Sequence, residues 1–260
     1  MSMAAQFSLG LAAMAALFAL AWAGCARVKN YGFLDVMWSY GLALLAPFYA
    51  WQGRGDSGRK WLFAGVALVW SLRLGTHILR RVVRHHPAED VRYRTLRERW
   101  PGRWMFLCFF ELQAVLIAAL SLPFLLACDN PAPTLRPVEW AGLALSLLAL
   151  TGEAQADAQL DRFKADPAHA RQICQTGWWR YSRHPNYFFE SMVWWGFFLA
   201  ALGSPHGWTT GFCPLLMLYF LLRVTGIPLT EEYALKSKGD AYRAYQRATS
   251  AFIPLPPKNP

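Results

Sequence analysis

The sequence has few charged residues. Only 16% of its 260 residues are Asp, Glu, Lys or Arg, whereas 55% belong to the hydrophobic set. A soluble domain carries about 25% charged residues, so this deficit indicates a membrane protein. The net charge is +10. In a chain of this composition we interpret the positive charge as a sign of membrane topology and of contact with anionic headgroups, and not of nucleic-acid binding.

Several motifs of familiar chemistry are missing. The chain has neither GxGxxG nor GxxxxGK[ST], which argues against Rossmann and P-loop nucleotide sites. It also lacks HExxH, a cysteine cluster and a nucleophile elbow, so metal hydrolysis and serine chemistry are not expected. The five cysteines show no CxxC or metal-type spacing, and we expect free thiols. Without internal repeats, residues 1–260 are expected to form a single domain.

Apolar runs are the main structural signal. They predict an all-α, polytopic membrane protein with seven transmembrane helices, at residues 7–25, 30–51, 61–78, 104–128, 138–151, 188–202 and 211–227. The first run is interpreted as a retained helix, because no positive charge precedes it as a signal peptide would require. The fifth helix is expected to continue beyond the membrane until Asp166-Pro167.

Loop charges predict the topology. With the N-terminus outside and the C-terminus cytosolic, most of the 26 Lys and Arg residues fall inside, as the positive-inside rule requires. Five polar clusters then share the cytosolic half: Asp35 and residues 77–93, 153–164, 183–190 and 231–245. We interpret them as one large polar pocket open to the cytosol, in a bacterial inner membrane or, in a eukaryote, the endoplasmic reticulum.

The densest polar stretch runs from Gly177 to Glu190, directly before an apolar run. Polar groups are costly at a membrane boundary unless they are used, so this stretch is predicted to form the rim of a ligand site. Arginine forks grip phosphate, carboxylates accept from ribose hydroxyls, and Asn or Tyr can recognise an amide or a ring. The expected ligand is therefore rich in phosphate and carries ribose.

Two of the predicted helices carry polar stripes. Asp35, Trp38 and Ser39 share one face of the second helix at i, i+3 and i+4. Asp35 is either a carboxylate that favours the helix N-terminus or a buried acid that faces the bundle interior. On the third helix, Arg73 and His77 share a face that continues towards the Arg-rich segment beginning at Arg80.

These segments together resemble the membrane steroid 5-alpha-reductase family and its bacterial relatives. The resemblance is carried by Asp-Val-x-Trp, Arg-Leu-Gly-x-His, Glu-Asp-x-Arg-Tyr, Trp-Trp-x-x-Ser-Arg-His-Pro-Asn-Tyr-x-x-Glu and Tyr-x-x-Tyr-x-x-x-x-Ser-x-Phe-Ile-Pro, in that order over nearly the whole chain. The Arg-His-Pro-x-Tyr core is shared with isoprenylcysteine and phospholipid methyltransferases, which use S-adenosylmethionine. The spacing of Asn186 and Glu190 resembles the reductase branch.

The resemblance implies a seven-helix enzyme that uses NADPH to reduce the C=C bond of a 3-oxo-4-ene steroid or a similar lipophilic enone. It implies that Asn186 and Glu190 hold the nicotinamide end, while Asp157 and Lys164 bind the nucleotide. The full set of expected cofactor residues is Arg80, Arg92, Tyr93, Glu153, Asp157, Lys164, Trp179, Arg183, His184, Asn186, Tyr187, Glu190, Glu232 and Tyr245.

The expected catalytic residues are Asp35, His77 and Tyr93, and Trp38 and Ser39 are expected to bind substrate. The animal enzymes have a Gln-Glu pair where this chain has Asp35, and a Tyr where it has His77. Asp35 and His77 are the expected pair that polarises the ketone: a protonated Asp35, or His77, would donate a hydrogen bond that stabilises the developing enolate in a dry site. The steroid-like substrate is expected to enter a monomer from the bilayer, and no metal is expected.

Two alternatives remain open. One is a methyltransferase that uses S-adenosylmethionine and acts on a lipid or prenyl thiol, and the other is a lipid-binding or receptor-like membrane protein without enzymatic activity.

Overall fold

The computed structural model describes residues 1–100, 102–169 and 172–258, and its regular secondary structure is helical, with one isolated bridge between Ser182 and Ser250. The α-helices in these residues are α1 Met3–Val28, α2 Phe33–Gln52, α3 Ser57–His85, α4 Val91–Arg99, α5 Arg103–Leu120, α6 Leu122–Cys128, α7 Pro137–Ala165, α8 Pro185–Ala201, α9 Phe212–Tyr219 and α10 Ile227–Ala248. Short 3₁₀ turns cover Pro167–His169, Gly177–Arg180 and Gly207–Gly211, and a π turn covers Phe220–Val224. The all-α prediction is confirmed for the described residues.

Five helical segments are long and apolar enough to cross a membrane: Met3–Val28, Phe33–Gln52, Ser57–His85, Arg103–Cys128 and Gly207–Ala248. Each of them contains one of the predicted apolar runs or nearly all of it. The two remaining runs also form helices, α7 and α8. However, α8 has 17 residues and is about 25 Å long, and α7 has Glu153 and Asp157 in its second half. The helices therefore indicate a membrane protein.

Residues 104–128 were expected to form one transmembrane helix, and the structure divides this segment at Ser121 into α5 and α6. Pro123 stands in the first turn of α6, where its missing N–H does not cost a helical hydrogen bond. The Ser121 hydroxyl donates to the Ala118 carbonyl at 2.6 Å and lies 3.0 Å from the Tyr49 hydroxyl of α2. The irregular turn is thus satisfied by side-chain hydrogen bonds inside the helix bundle.

The chain forms two compact units, residues 1–136 with 201–210 (unit 1) and residues 137–200 with 211–260 (unit 2). In unit 1, α2 packs along α3, and α1 packs on α5 and α2. Ser71 of α3 joins the first pair, because its hydroxyl donates to the Ser39 carbonyl at 2.5 Å and accepts from the Ala43 amide at 2.9 Å. Such polar contacts between apolar helices are characteristic of membrane bundles.

Unit 1 has two distinct ends, which α2 separates by about 30 Å at 1.5 Å per residue. At one of them, the Asn130 end, the loops that follow α2 and α6 are joined by side chains. The Arg59 guanidinium donates to the carbonyls of Ala132 and Thr134 at 3.0 and 2.7 Å. The Asn130 amide donates to the Gly203 carbonyl at 3.2 Å. The opposite end is formed by residues 29–35 and 86–100 and is called the Asp35 end.

Unit 2 is organised by α7, which is a single helix that ends just before Asp166-Pro167, as predicted. Its N-terminal half packs closely on α8: a Cβ atom at Gly142 would lie 2.3 Å from the backbone nitrogen of Ala200. Ser146 lies in the same contact, and its hydroxyl donates to the Gly142 carbonyl at 3.0 Å. In α10, Gly239 has φ 53° and interrupts the helix. A side chain disfavours this conformation, and glycine adopts it readily.

Candidate functional site

Four side chains meet at the Asp35 end and form the Asp35 cluster: Asp35, Asp90, Arg92 and Tyr93. Asp35 Oδ2 accepts from Arg92 Nη2 at 2.7 Å, and Asp35 Oδ1 accepts from the Tyr93 hydroxyl at 2.5 Å. Asp90 caps the N-terminus of α4 by accepting from the Arg92 amide at 2.9 Å, and it also accepts from the Arg92 side chain at 2.9 and 3.0 Å. The helix cap thus aims the guanidinium at Asp35.

The protonation of these groups follows from burial and charge. Burial raises the pKa of Tyr93, and the negative charge of Asp35 raises that pKa further, so the phenol keeps its proton. Burial disfavours the charged form of Arg92, but the carboxylates of Asp35 and Asp90 outweigh this effect and raise the pKa of Arg92. Burial likewise disfavours the Asp90 carboxylate, yet its bonds to Arg92 lower its pKa overall.

A second carboxylate holds the same segment. Glu89 accepts from the Tyr31 amide at 2.9 Å and pairs with Arg97 at 2.8 Å, and its side chain is only 4% exposed. Residues 86–99 are therefore fastened to residues 30–35 by Glu89 as well as by Asp35. Glu89 and Asp90 were not among the predicted site residues, although both belong to the Glu-Asp-x-Arg-Tyr motif.

The other residues predicted in unit 1 have different surroundings. Ser39 is buried, and its hydroxyl donates to the Asp35 carbonyl at 2.8 Å, which uses its single hydrogen. The Trp38 ring packs edge-on against the Trp70 ring, with centroids 6.3 Å apart. His77 is half-buried on α3, and Arg80 is exposed one turn later. The structure brings the side chains of the predicted Asp35, Arg92 and Tyr93 into one cluster.

In unit 2, four predicted residues lie on the facing sides of α7 and α8 and form the α7/α8 polar face: Glu153, Asp157, Asn186 and Glu190. Asn186 Nδ2 donates to Asp157 Oδ1 at 3.2 Å, which joins the two helices. Glu190, one turn beyond Asn186, accepts from the Trp194 indole at 2.9 Å. Glu153, Asp157 and Glu190 are all buried. Buried ionisable groups in a membrane protein are costly and are usually retained for a function.

The turn before α8 is held by α7 and α10. The Trp179 indole donates to the Ala156 carbonyl of α7 at 2.9 Å, and the Tyr245 hydroxyl donates to the Trp179 carbonyl in a short hydrogen bond. Gln159 accepts from the Trp178 amide at 2.9 Å. Trp179 and Tyr245, both predicted site residues, therefore position the start of α8 through these contacts.

Arg183 and His184 converge on Glu231 of α10. Arg183 Nε donates to Glu231 Oε1 at 2.7 Å, and His184 Nε2 lies 3.3 Å from the same oxygen. The Gln246 amide donates to the other carboxylate oxygen at 2.9 Å. Arg183 also donates to the Thr249 carbonyl at 2.5 Å. These contacts attach the loop before α8 to α10 and to the residues that follow it.

Glu231 was not selected from the sequence, whereas its neighbour Glu232 was. The structure shows Glu232 at the surface, 2.6 Å from Lys236 one turn later on α10. Adjacent residues on a helix point about 100° apart, so only one of the two carboxylates can face Arg183. Tyr187, also predicted, stacks on the His184 ring with centroids 5.4 Å apart, and its hydroxyl lies 3.1 Å from that of Thr230.

Comparison with known proteins places the chain in a family. Residues 21–249 match the family described as "Protein of unknown function (DUF1295)". The chain belongs to this family. It is also 26% identical to "Uncharacterized protein C594.04c" of Schizosaccharomyces pombe over 284 aligned residues, which cover 95% of this chain and 79% of that protein. No solved structure gave a significant match.

Proposed function

We propose that this DUF1295 protein is a membrane reductase that uses NADPH to reduce the C=C bond of a 3-oxo-4-ene steroid or a similar lipophilic enone. The main support is the α7/α8 polar face, where the Asn186 amide donates a hydrogen bond to Asp157. Asp157 is buried, as are Glu153 and Glu190 of the same face. Carboxylates and an amide in this density suit the hydroxyls and the carboxamide of a dinucleotide. The resemblance of the sequence motifs to steroid 5-alpha-reductases adds to this support.

The donor set of unit 2 fits such a cofactor. Asn186 has an amide that can both donate and accept, which matches a nicotinamide carboxamide, and Glu190 lies one turn further on the same helix. Asp157 and Glu153 offer acceptors for ribose hydroxyls, and Lys164 offers a positive charge for phosphate at the end of α7. When bound, NADPH supplies a hydride to the β-carbon of the enone.

The Asp35 cluster is proposed to act on the ketone. Asp35 accepts from both a guanidinium and a phenol, so its role in this geometry is that of a carboxylate that holds Arg92 and Tyr93 in place. Tyr93 keeps its proton because its pKa is raised by burial and by Asp35. Tyr93 donates its single hydrogen to Asp35 in this structure, so its phenol is proposed to turn from Asp35 to the ketone oxygen when the substrate binds. Together with the imidazole of His77, it would then stabilise negative charge on that oxygen.

We also propose seven membrane crossings, with the N-terminus outside and the C-terminus in the cytosol. The close packing of α7 on α8 through Gly142, Ser146 and Gly196 is typical of small-residue contacts between transmembrane helices. In unit 1, Trp51, Trp61 and Trp208 are all more than half exposed beside the Asn130 end, as expected for an aromatic belt at an interface. The Arg-rich Asp35 end then faces the cytosol.

The activity is tested with the full chain purified in detergent. NADPH-dependent reduction of a 3-oxo-4-ene steroid is followed by product analysis and NADPH absorbance, and methyl transfer from labelled S-adenosylmethionine to a prenyl thiol is measured in parallel. Reduction without methyl transfer is expected. Methyl transfer without reduction would instead establish the methyltransferase alternative. If the protein catalysed neither reaction and bound no NADPH, the alternative of a protein without enzymatic activity would be favoured.

The proposed roles of His77 as a donor to the ketone and of Asp35 as the carboxylate that positions Arg92 and Tyr93 are tested by substitution. His77→Leu, Asp35→Leu and the more conservative Asp35→Asn are expected to abolish turnover and to retain most of the binding of NADPH. Asp240→Asn is the matched control, because Asp240 is 93% exposed and pairs with Arg243 at the surface. If the His77 and Asp35 variants reduced the steroid at the wild-type rate, these assignments would be wrong.

A further inference from the structure

Unit 2 contains a cleft of about 270 Å³ beside the C-terminal end of α7. Its lining comes from the end of α7, from His169, Gln172 and Cys174, and from α10. The lining residues are Leu160, Phe163, Lys164, His169, Gln172, Cys174 and Lys238. Two ammonium groups and an imidazole thus border one open cavity, together with the amide of Gln172.

The two lysines come from different helices and face the same space. Their positive charges are close enough to interact unfavourably with each other. Lys238 is half-buried and donates to the Gln172 backbone carbonyl at 2.5 Å, which holds its ammonium at the edge of the cleft. His169 stacks on Phe163 with centroids 4.3 Å apart, and its Nδ1 lies 3.5 Å from the Asp166 carboxylate. An anion bound between the lysines would relieve their repulsion.

The size of the cleft restricts its occupant. Sites that enclose a whole drug-sized ligand occupy about 300–1,000 Å³, so about 270 Å³ suits a group of a larger molecule. Lysine ammonium groups bind phosphate as point charges, and a monoester phosphate carries nearly two negative charges at neutral pH. Lys164 is seven residues beyond Asp157 on α7, about 10 Å along the helix axis, which is within the length of a dinucleotide.

We propose that this cleft binds the 2′-phosphate of NADPH and that Lys238 is a residue that selects NADPH over NADH. The inference rests on the proposed function, since it assigns a part of the same cofactor. Lys238 contacts the phosphate together with Lys164, while the ribose and nicotinamide parts lie along the α7/α8 polar face. NADH lacks the phosphate and gains nothing from the cleft.

The experiment measures the dissociation constants of NADP⁺, NAD⁺ and 2′,5′-ADP for the detergent-purified full chain by calorimetry. Lys238→Gln is expected to raise the dissociation constants of NADP⁺ and 2′,5′-ADP about tenfold, because one charge-assisted hydrogen bond is lost. The dissociation constant of NAD⁺ should change less than twofold. Lys238→Arg keeps the charge and is expected to restore most of the affinity. Lys236→Gln is the matched control, because Lys236 lies on the same helix and pairs with Glu232 at the surface.

The outcomes separate this inference from the proposed function. If Lys238→Gln weakened the binding of NADP⁺ and of NAD⁺ equally, or weakened the binding of neither nucleotide, the assignment of Lys238 would be overturned. This would hold even if the reductase activity were confirmed. If the wild-type chain bound no NADP⁺ but bound inorganic phosphate in a Lys238-dependent manner, both the reductase proposal and the assignment of the cleft to NADPH would be overturned. Lys238-dependent binding of phosphatidic acid nanodiscs without binding of 2′,5′-ADP would overturn the nucleotide assignment in favour of a lipid phosphate.

Discussion

Replacing Tyr93 with Phe removes one oxygen atom from the Asp35 cluster and leaves the aromatic ring in place. In the structure, the Tyr93 hydroxyl donates to Asp35 Oδ1 at 2.5 Å, while Asp35 Oδ2 keeps its separate contact with Arg92 at 2.7 Å. The substitution therefore deletes a single hydrogen bond to a carboxylate and does not leave that carboxylate without a partner. It tests the geometry of the cluster independently of any catalytic assignment.

The size of the effect follows from the charge and exposure of the acceptor. Hydrogen bonds to charged groups contribute about 1.5–3 kcal/mol. The Asp35 side chain is 26% exposed, so water screens part of this interaction and the lower end of the range applies, about 1.5 kcal/mol. For a protein of about this size, each kcal/mol shifts the melting temperature by about 2–4 °C. We therefore expect Tyr93→Phe to lower the melting temperature by about 3–6 °C.

The assay is a double-mutant cycle in detergent, with thermal unfolding of the wild type, Tyr93→Phe, Asp35→Ala and the double variant. The coupling energy between the two positions should be about 1.5 kcal/mol, because residues in one hydrogen-bond network are not additive. Tyr49→Phe serves as the matched control. Tyr49 lies 14 residues beyond Asp35 on α2, about 21 Å along the helix, and bonds Ser121 instead.

Asp35→Ala and Tyr49→Phe should be additive. A coupling energy near zero between positions 35 and 93, with both single variants folded, would refute the hydrogen bond and with it the arrangement of the Asp35 cluster. Equal coupling for positions 35 and 49 would show that the measurement reports a general loosening of α2 and not a specific contact.

Two further predictions concern stability. Because Arg92 lowers the folded-state pKa of Asp90 below its ordinary 3.8, the stabilisation by Asp90 should be present at neutral pH and be lost as the pH falls below about 4. The difference in melting temperature between the wild type and Asp90→Asn should accordingly shrink between pH 5 and 3, and a constant difference would contradict the shift. Gly142→Ala should destabilise by about 1–3 kcal/mol, because its Cβ would lie 2.3 Å from the Ala200 nitrogen. Gly65→Ala, with nothing within 4 Å of its added Cβ, should be neutral or stabilising, and equal losses at both positions would argue against the α7/α8 contact.

The helical content was predictable because apolar runs report burial in lipid directly. The five segments that can cross a membrane contain five of the seven predicted runs or nearly all of each, and the end of α7 before Pro167 followed from the steric rule for residues that precede proline. The break at Ser121 was missed, although Pro123 was visible in the sequence. Proline is tolerated within apolar helices often enough that its position alone does not identify a break.

The grouping of polar residues was predictable where a motif places two residues a fixed distance apart. Asn186 and Glu190 are one turn apart on any helix, and Arg92 and Tyr93 are adjacent, so their grouping needed no tertiary information. The choice of Glu232 over Glu231 shows the limit of this reasoning. The sequence does not distinguish between the two adjacent carboxylates. Only the orientation of α10 relative to the loop before α8 places Glu231 next to Arg183.

The amino-acid sequence by itself determined that the chain is an all-helical membrane protein and which short segments concentrate its polar groups, because both depend on composition and local periodicity. The tertiary structure alone decided which of these groups contact each other: Asp35 with Arg92 and Tyr93, Asp157 with Asn186, and Lys238 with the edge of the cleft that Lys164 also lines. Such pairs are 29 to 74 residues apart, and their contact depends on how the helices pack. Packing in turn depends on small features such as Gly142, whose effect appears only when a second helix is in place.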